Sequence, residues 1–257
     1  DSAIMTKITN MFKTAVRYPR LLRQKISRFF FGNNIKNTII VCSLGRCGST
    51  MLVNNLKNYY HQQPSRMDIV RLDDHIQMDL VTDDSTIERG FDGEASMALR
   101  GQYLLGHVYK SHDFPPAYLP SHVKVIFLFG NPIDIVLSAL ELDKRQLTGV
   151  DSRFTALDLH IRNLRGDIKK KADLFDKDVL RLEEQFDCWF KTQAFPLLRL
   201  RYETMWEHQS EIRSFIGIDR FKLPKKKQRK YLRGKYNDST LANLELNYSQ
   251  LSKKIQN

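Results

Sequence analysis

Hydrophobic and polar positions change their period along this chain, and the changes outline its elements. Thr38-Ile39-Ile40-Val41-Cys42-Ser43 is one β-type run, and Val125-Ile126-Phe127-Leu128-Phe129 is another. Short continuous apolar runs of this kind suit strands covered on both faces. The pattern predicts strands over 38–43, 67–71, 104–110, 123–129 and 197–202. It predicts helices over 49–60, 131–142, 153–165, 173–194 and 204–216, the 173–194 stretch giving the clearest signal through Leu182, Phe186, Trp189 and Phe190. Strands alternating with helices argue for an α/β fold of three layers, a mainly parallel central sheet with helices on both faces.

Outside that alternation lie three segments of different character. Residues 6–30 read as a basic amphipathic helix, or two helices broken at Pro19. Ile8, Met11, Phe12, Ala15, Leu22, Ile26 and Phe29 mark one side, and Lys7, Lys13, Arg17, Arg20, Arg23, Lys25 and Arg28 the other. Such a helix either packs on a domain edge or meets a membrane surface. Residues 72–100 are polar, acidic and weakly periodic, an insertion suited to shaping a substrate pocket. Residues 224–235 are densely basic. The expected organisation is an N-terminal helical extension over 1–35 and a single α/β domain over 36–257, with Met5 a candidate native start.

Composition narrows the partners. The chain has 257 residues, 42% of them apolar, which is enough for one sizeable core. No apolar run is long enough to span a bilayer. The formal net charge is +12. A nucleic-acid partner is disfavoured because no nucleic-acid motif accompanies that charge; a polyanionic nucleotide explains its sign more economically. Three cysteines, Cys42, Cys47 and Cys188, give no disulfide framework and favour a reduced, cytoplasmic protein. No histidine or cysteine spacing suggests a metal site.

The chemistry concentrates in Ser43-Leu44-Gly45-Arg46-Cys47-Gly48-Ser49-Thr50, where the first strand turns into a helix. Strand, glycine turn and helix N-terminus make an anion cradle from backbone N–H groups and the helix dipole. A Walker A loop would place Lys directly before the hydroxyl, but Gly48 stands there and Arg46 is the turn's cation. A phosphate loop of this composition points away from ATP hydrolysis and towards sulfuryl transfer. Three further segments close strands: Lys110-Ser111-His112-Asp113, Asn131-Pro132-Ile133-Asp134 with Ser138, and Arg201-Tyr202-Glu203. In a doubly wound sheet, strand C-termini open on one crevice, so these segments are candidates to meet the loop.

On these motifs, roughly over residues 36–220, the chain resembles the sulfotransferases that use 3′-phosphoadenosine-5′-phosphosulfate (PAPS). The loop is similar to their 5′-phosphosulfate loop, the Asn-Pro-x-Asp-x-x-x-Ser run to their 3′-phosphate motif, Lys-Ser-His to the segment supplying a catalytic His, and Arg-Tyr-Glu to the strand end supplying an adenine-contacting Tyr. The resemblance implies a P-loop sulfotransferase fold, PAPS as cosubstrate, PAP as product, no metal, and a small-molecule or carbohydrate acceptor. It implies cofactor contacts from Arg46, Cys47, Gly48, Ser49, Thr50, Asn131, Ser138 and Tyr202. It further implies His112 as general base and Lys110 and Arg46 as cations stabilising the transferring group.

Alternatives stand beside each role. Carbohydrate sulfotransferases often use a carboxylate base, for which Asp73, Asp74 and Asp113 are the rivals. Asp134 reads as support for the helix start, and His107 as a core histidine. The family usually carries Arg directly before Asn-Pro to bind the 3′-phosphate; here that position is Gly130. The replacement cation is sought in the basic segment, at Arg229, Lys230 or Arg233, and Gly130 itself would suit a positive φ. Other functional readings are a P-loop kinase or NTPase, which magnesium dependence would reveal, and a nucleotide-binding protein that has lost turnover.

Overall fold

The structure is a computed structural model and describes residues 37–60, 103, 105–146, 173–226 and 232–256. The expectations for 1–35, 67–71, 72–100 and 153–165, and for Asp73, Asp74, Arg229 and Lys230, fall outside those residues. Among the described residues, four strands form one sheet: β1 (Thr38–Ser43), β2 (Val108–Ser111), β3 (Val123–Phe129) and β4 (Leu197–Arg201). Their spatial order is β2-β1-β3-β4, and each pairing is parallel. Every residue of β1 and β2 is buried. Successive side chains of a strand point to opposite faces, so such a strand is covered on both.

The helices among the described residues are α1 (Ser49–Tyr59), α2 (Pro132–Gln146), the single turn α3 (Asp173–Asp176), α4 (Leu182–Lys191), α5 (Gln209–Ile216), α6 (Asp238–Asn247) and α7 (Ser249–Gln256). On one face of β3, Phe127 stacks on Trp189 at 5.2 Å and Phe129 meets Phe186 and Phe190 edge-on, each at 5.3 Å, which seats α4. On the opposite face, Lys124 Nζ donates to Phe215 O at 2.7 Å, which seats α5. Helix α1 joins α5's side, since Tyr59 packs on Phe221 and Asn55 Nδ2 donates to Lys222 O at 2.8 Å. The three-layer α/β fold is therefore present. None of the described helices is long and apolar enough to cross a membrane.

Several boundaries differ from the sequence expectation. The 173–194 helix is broken between α3 and α4, where Arg181 adopts φ 50° and ψ 39°. Asp178 Oδ2 accepts the Glu183 N–H at 2.9 Å, so a carboxylate competes with helical bonding and starts a new helix instead. The 104–110 strand begins only at Val108, because Gly106 at φ 72° turns the chain while its N–H bonds Asn37 O. The 204–216 helix begins at Gln209, after three tight turns closed by the N–H groups of Thr204, Glu207 and His208.

Candidate functional site

The strand order reverses between β1 and β3, and ligands of open parallel sheets bind outside the strand ends at such a point. The 43–50 loop is built there. Leu44 N–H donates to Leu128 O at 3.2 Å and Cys47 Sγ to the same carbonyl at 3.3 Å, tying the loop to the end of β3. Gly45 and Gly48 hold φ 84° and 86°, where a side chain is strained, and Arg46 holds φ 50°. The Tyr202 ring lies against Gly48, with a Cβ there only 2.6 Å from Tyr202 Cδ2. Gly48 is the N-cap of α1 with no side-chain cap, so the helix's first N–H groups have no carbonyl of their own helix to bond.

Residues from distant segments converge on this loop. Lys110, at the end of β2 and 9% exposed, donates from Nζ to Thr50 Oγ1 at 3.1 Å. Burial, and to a smaller extent the Arg46 guanidinium, pushes Lys110 down to about 8 against an upward pull from Cys47. His112 Nδ1 lies 3.0 Å from Ser43 O and 3.0 Å from Ser43 Oγ. A carbonyl only accepts, so the neutral imidazole carries its proton on Nδ1 and its lone pair on Nε2. The turn bearing it is anchored from α4: Gln185 Nε2 donates to His112 O and to Asp113 O, and Trp189 Nε1 donates to Asp113 O at 3.0 Å. Asp113 is 2% exposed and buried beside this turn, and its charge adds to the burial that raises the Cys42 thiol.

At the second strand end, Asn131 Oδ1 accepts the N–H groups of Ile133 and Asp134 at 3.0 and 3.2 Å. Asn131 is thus the cap of α2, followed by Pro132 at the first helical position, where its missing N–H costs nothing. Ser138, one turn further on, accepts from Arg46 Nε at 3.1 Å. Asp134 stands in the first turn of α2 and pairs with Arg233 Nε at 3.5 Å. Gly130 does not have positive φ, contrary to the expectation for it. What restricts it is space: a Cβ would lie 3.1 Å from Glu203 Oε1 and 3.5 Å from Cys47 Cβ. Glu203 itself accepts from Asn131 N–H and from Arg201 Nε, both at 3.1 Å. Tyr202 meets Trp206 edge-on at 5.4 Å.

Sequence reasoning therefore named residues that do come together: Arg46, Gly48, Thr50, Lys110, His112, Ser138 and Tyr202. It missed Gln185 and Trp189 as anchors: the helical period marks Trp189 as core, and the polar Gln185 stands outside the apolar pattern. It also missed Glu203's place beside Gly130, although the Arg-Tyr-Glu run contains it. His107 is buried, with Nδ1 3.4 Å from Leu105 O and its ring stacked on Tyr109, as a core histidine should be.

No family model and no curated protein matches the chain. Among solved structures it is similar to a retinol dehydratase in complex with androsterone and inactive cofactor PAP, at 14% identity and a TM-score of 0.39, over 87% of this chain and 82% of that one. A likeness this faint carries no argument about activity, which rests on the site itself.

Proposed function

We propose that this chain is a PAPS-dependent sulfotransferase acting on a hydroxyl or amine of a small-molecule or carbohydrate acceptor. The observation that carries the reading is the meeting of Lys110 and His112 with the phosphate loop: one donates to Thr50 Oγ1, the other is held on Ser43. A cation and a base beside an anion cradle fit transfer of an anionic group to a protic nucleophile. The N–H groups at the start of α1, with Lys110, hold the 5′-phosphosulfate. The acceptor oxygen attacks sulfur and gives its proton to His112 Nε2. The bond from sulfur to the bridging phosphate oxygen breaks, and its electron pair stays on the nucleotide. Charge developing on that oxygen is met by preorganised donors, the usual largest contribution in such sites.

A second reading, nucleotide binding without turnover, is favoured by Glu203, whose carboxylate rather than a cation fronts the corner at Gly130. Incubation of the full chain with sulfur-labelled PAPS and a panel of hydroxyl and amine acceptors separates the two. Label moving to any acceptor, and ceasing in His112→Asn, supports the enzyme. Binding of PAP with no transfer across the panel supports the second reading.

A further inference from the structure

We propose that Arg46, held on Ser138, is the cation by which this chain recognises a 3′-phosphate, serving from the phosphate loop in place of the side chain missing at Gly130. The proposal rests on the PAPS reading above and assigns one of its two anion contacts. Asp134, Ser138 and Glu141 recur four and three residues apart, so they share one face of α2. Cations from two other segments come to that face. Arg46 Nε donates to Ser138 Oγ at 3.1 Å, Arg233 Nε lies 3.5 Å from Asp134 Oδ1, and Lys235 Nζ donates to Glu141 Oε2 at 2.7 Å. The centre of the row is the neutral hydroxyl bearing Arg46, and the carboxylates on either side of it are each paired by a cation, Arg233 on Asp134 and Lys235 on Glu141.

The alternative place for the phosphate, beside residue 130, is electrostatically poor. Glu203 Oε1 stands 3.1 Å from where a Cβ would be, and Cys47 closes the other side. An anion at that corner faces a carboxylate; moved along α2 to Ser138, it faces Arg46, with the neighbouring Asp134 and Glu141 paired by Arg233 and Lys235. Ser138 Oγ accepts from Arg46 Nε, and its own O–H remains a donor. A phosphate monoester there receives a hydroxyl proton and a planar, permanently charged guanidinium together. Arg233, already set against Asp134 and against Glu245 at 3.3 Å, adds field at the edge of the row. The basic segment favoured from the sequence thus becomes secondary to the loop arginine.

Calorimetry with PAP and with AMP, which lacks the 3′-phosphate, tests this on the full chain. The wild type is expected to bind PAP about tenfold or more tighter than AMP, the scale of a charged hydrogen bond. Arg46→Ala should abolish most of that ratio, Arg46→Lys should leave part of it, and Arg233→Ala should leave most. Ser138→Ala, on the helix rather than the loop, should also cut the ratio and serves if the loop variant does not fold. A ratio unchanged in Arg46→Ala and Ser138→Ala, with PAP and AMP weakened alike, overturns the proposal and leaves the PAPS reading standing. Equal affinity of the wild type for PAP and AMP overturns both.

Discussion

The ring of Tyr202 occupies the space that a side chain at Gly48 would need, with Cδ2 only 2.6 Å from the position of its Cβ. The end of β4 therefore fixes the shape of a loop that follows β1, across the intervening strand β3. Gly48→Ala suffers twice. The left-handed φ of 86° costs about 1–2 kcal/mol in itself, and the ring must move. Denaturant unfolding should show Gly48→Ala strongly destabilised. The double variant with Tyr202→Ala should be less destabilised than the sum, by about 0.5–3 kcal/mol for residues in direct contact. Additive effects would contradict the contact.

His112→Ala should lower turnover by about 10²–10⁴-fold, the usual share of general acid–base catalysis, with PAP affinity nearly intact. His112→Asn sharpens the test. Its amide can restore a donor to Ser43 O but supplies no base. It should recover thermal stability relative to Ala and recover no turnover. Turnover near wild type in either variant would pass the role to a carboxylate.

Lys110 gives a pH signature. Its folded value is about 8, and a bound anion favours the ammonium form, so binding raises that value. PAP affinity should be level around pH 7 and fall as pH rises through 8, by up to about tenfold per unit. Lys110→Arg keeps the charge and should remove this fall. Calorimetry in buffers of different ionisation heat should also show proton uptake near pH 8 in the wild type and less in the variant.

Asn131→Ala should act on stability before binding. Loss of the cap to Ile133 and Asp134 costs about 1 kcal/mol. Asn131→Ser should restore most of it. A variant of unchanged stability with much weaker PAP binding would instead make the Asn131 side chain a direct nucleotide contact.

Gly130→Arg tests the corner beside Glu203. The new guanidinium should pair with Glu203, so the single variant should gain little PAP preference over AMP. Gly130→Arg combined with Glu203→Gln should gain more, because the carboxylate no longer neutralises the cation. Calorimetry with the two nucleotides reads the difference.

Much of the sheet was legible because burial on both faces writes itself as continuous apolar runs; β3 begins and ends where its run predicts. The loop and its partner strand ends were legible because hydroxyls, glycines and basic residues punctuate those runs. The break before α4 was not, since Leu182, Phe186 and Trp189 keep their period while Asp178 acts only through a hydrogen bond. Helices α6 and α7 went unforeseen despite a signal. Asn237 caps α6 through Thr240 N–H at 2.9 Å, and Leu244, Tyr248, Leu251 and Ile255 then fall buried at helical spacing. The Arg46–Ser138 contact spans 92 positions and leaves no trace in any local pattern.

Lys110 and His112 stand at the end of β2, on one side of β1, whereas Gly130 and Tyr202 directly follow β3 and β4 on the other. On the proposed reading, the β2 side of β1 supplies the base and a cation for the transferring group, and the β3 side supplies the contacts at Ser138 and Tyr202. On that reading, substitutions over 114–120, beyond the base and its anchored neighbour, can be screened for new acceptors while Ser138 and Tyr202 are left untouched.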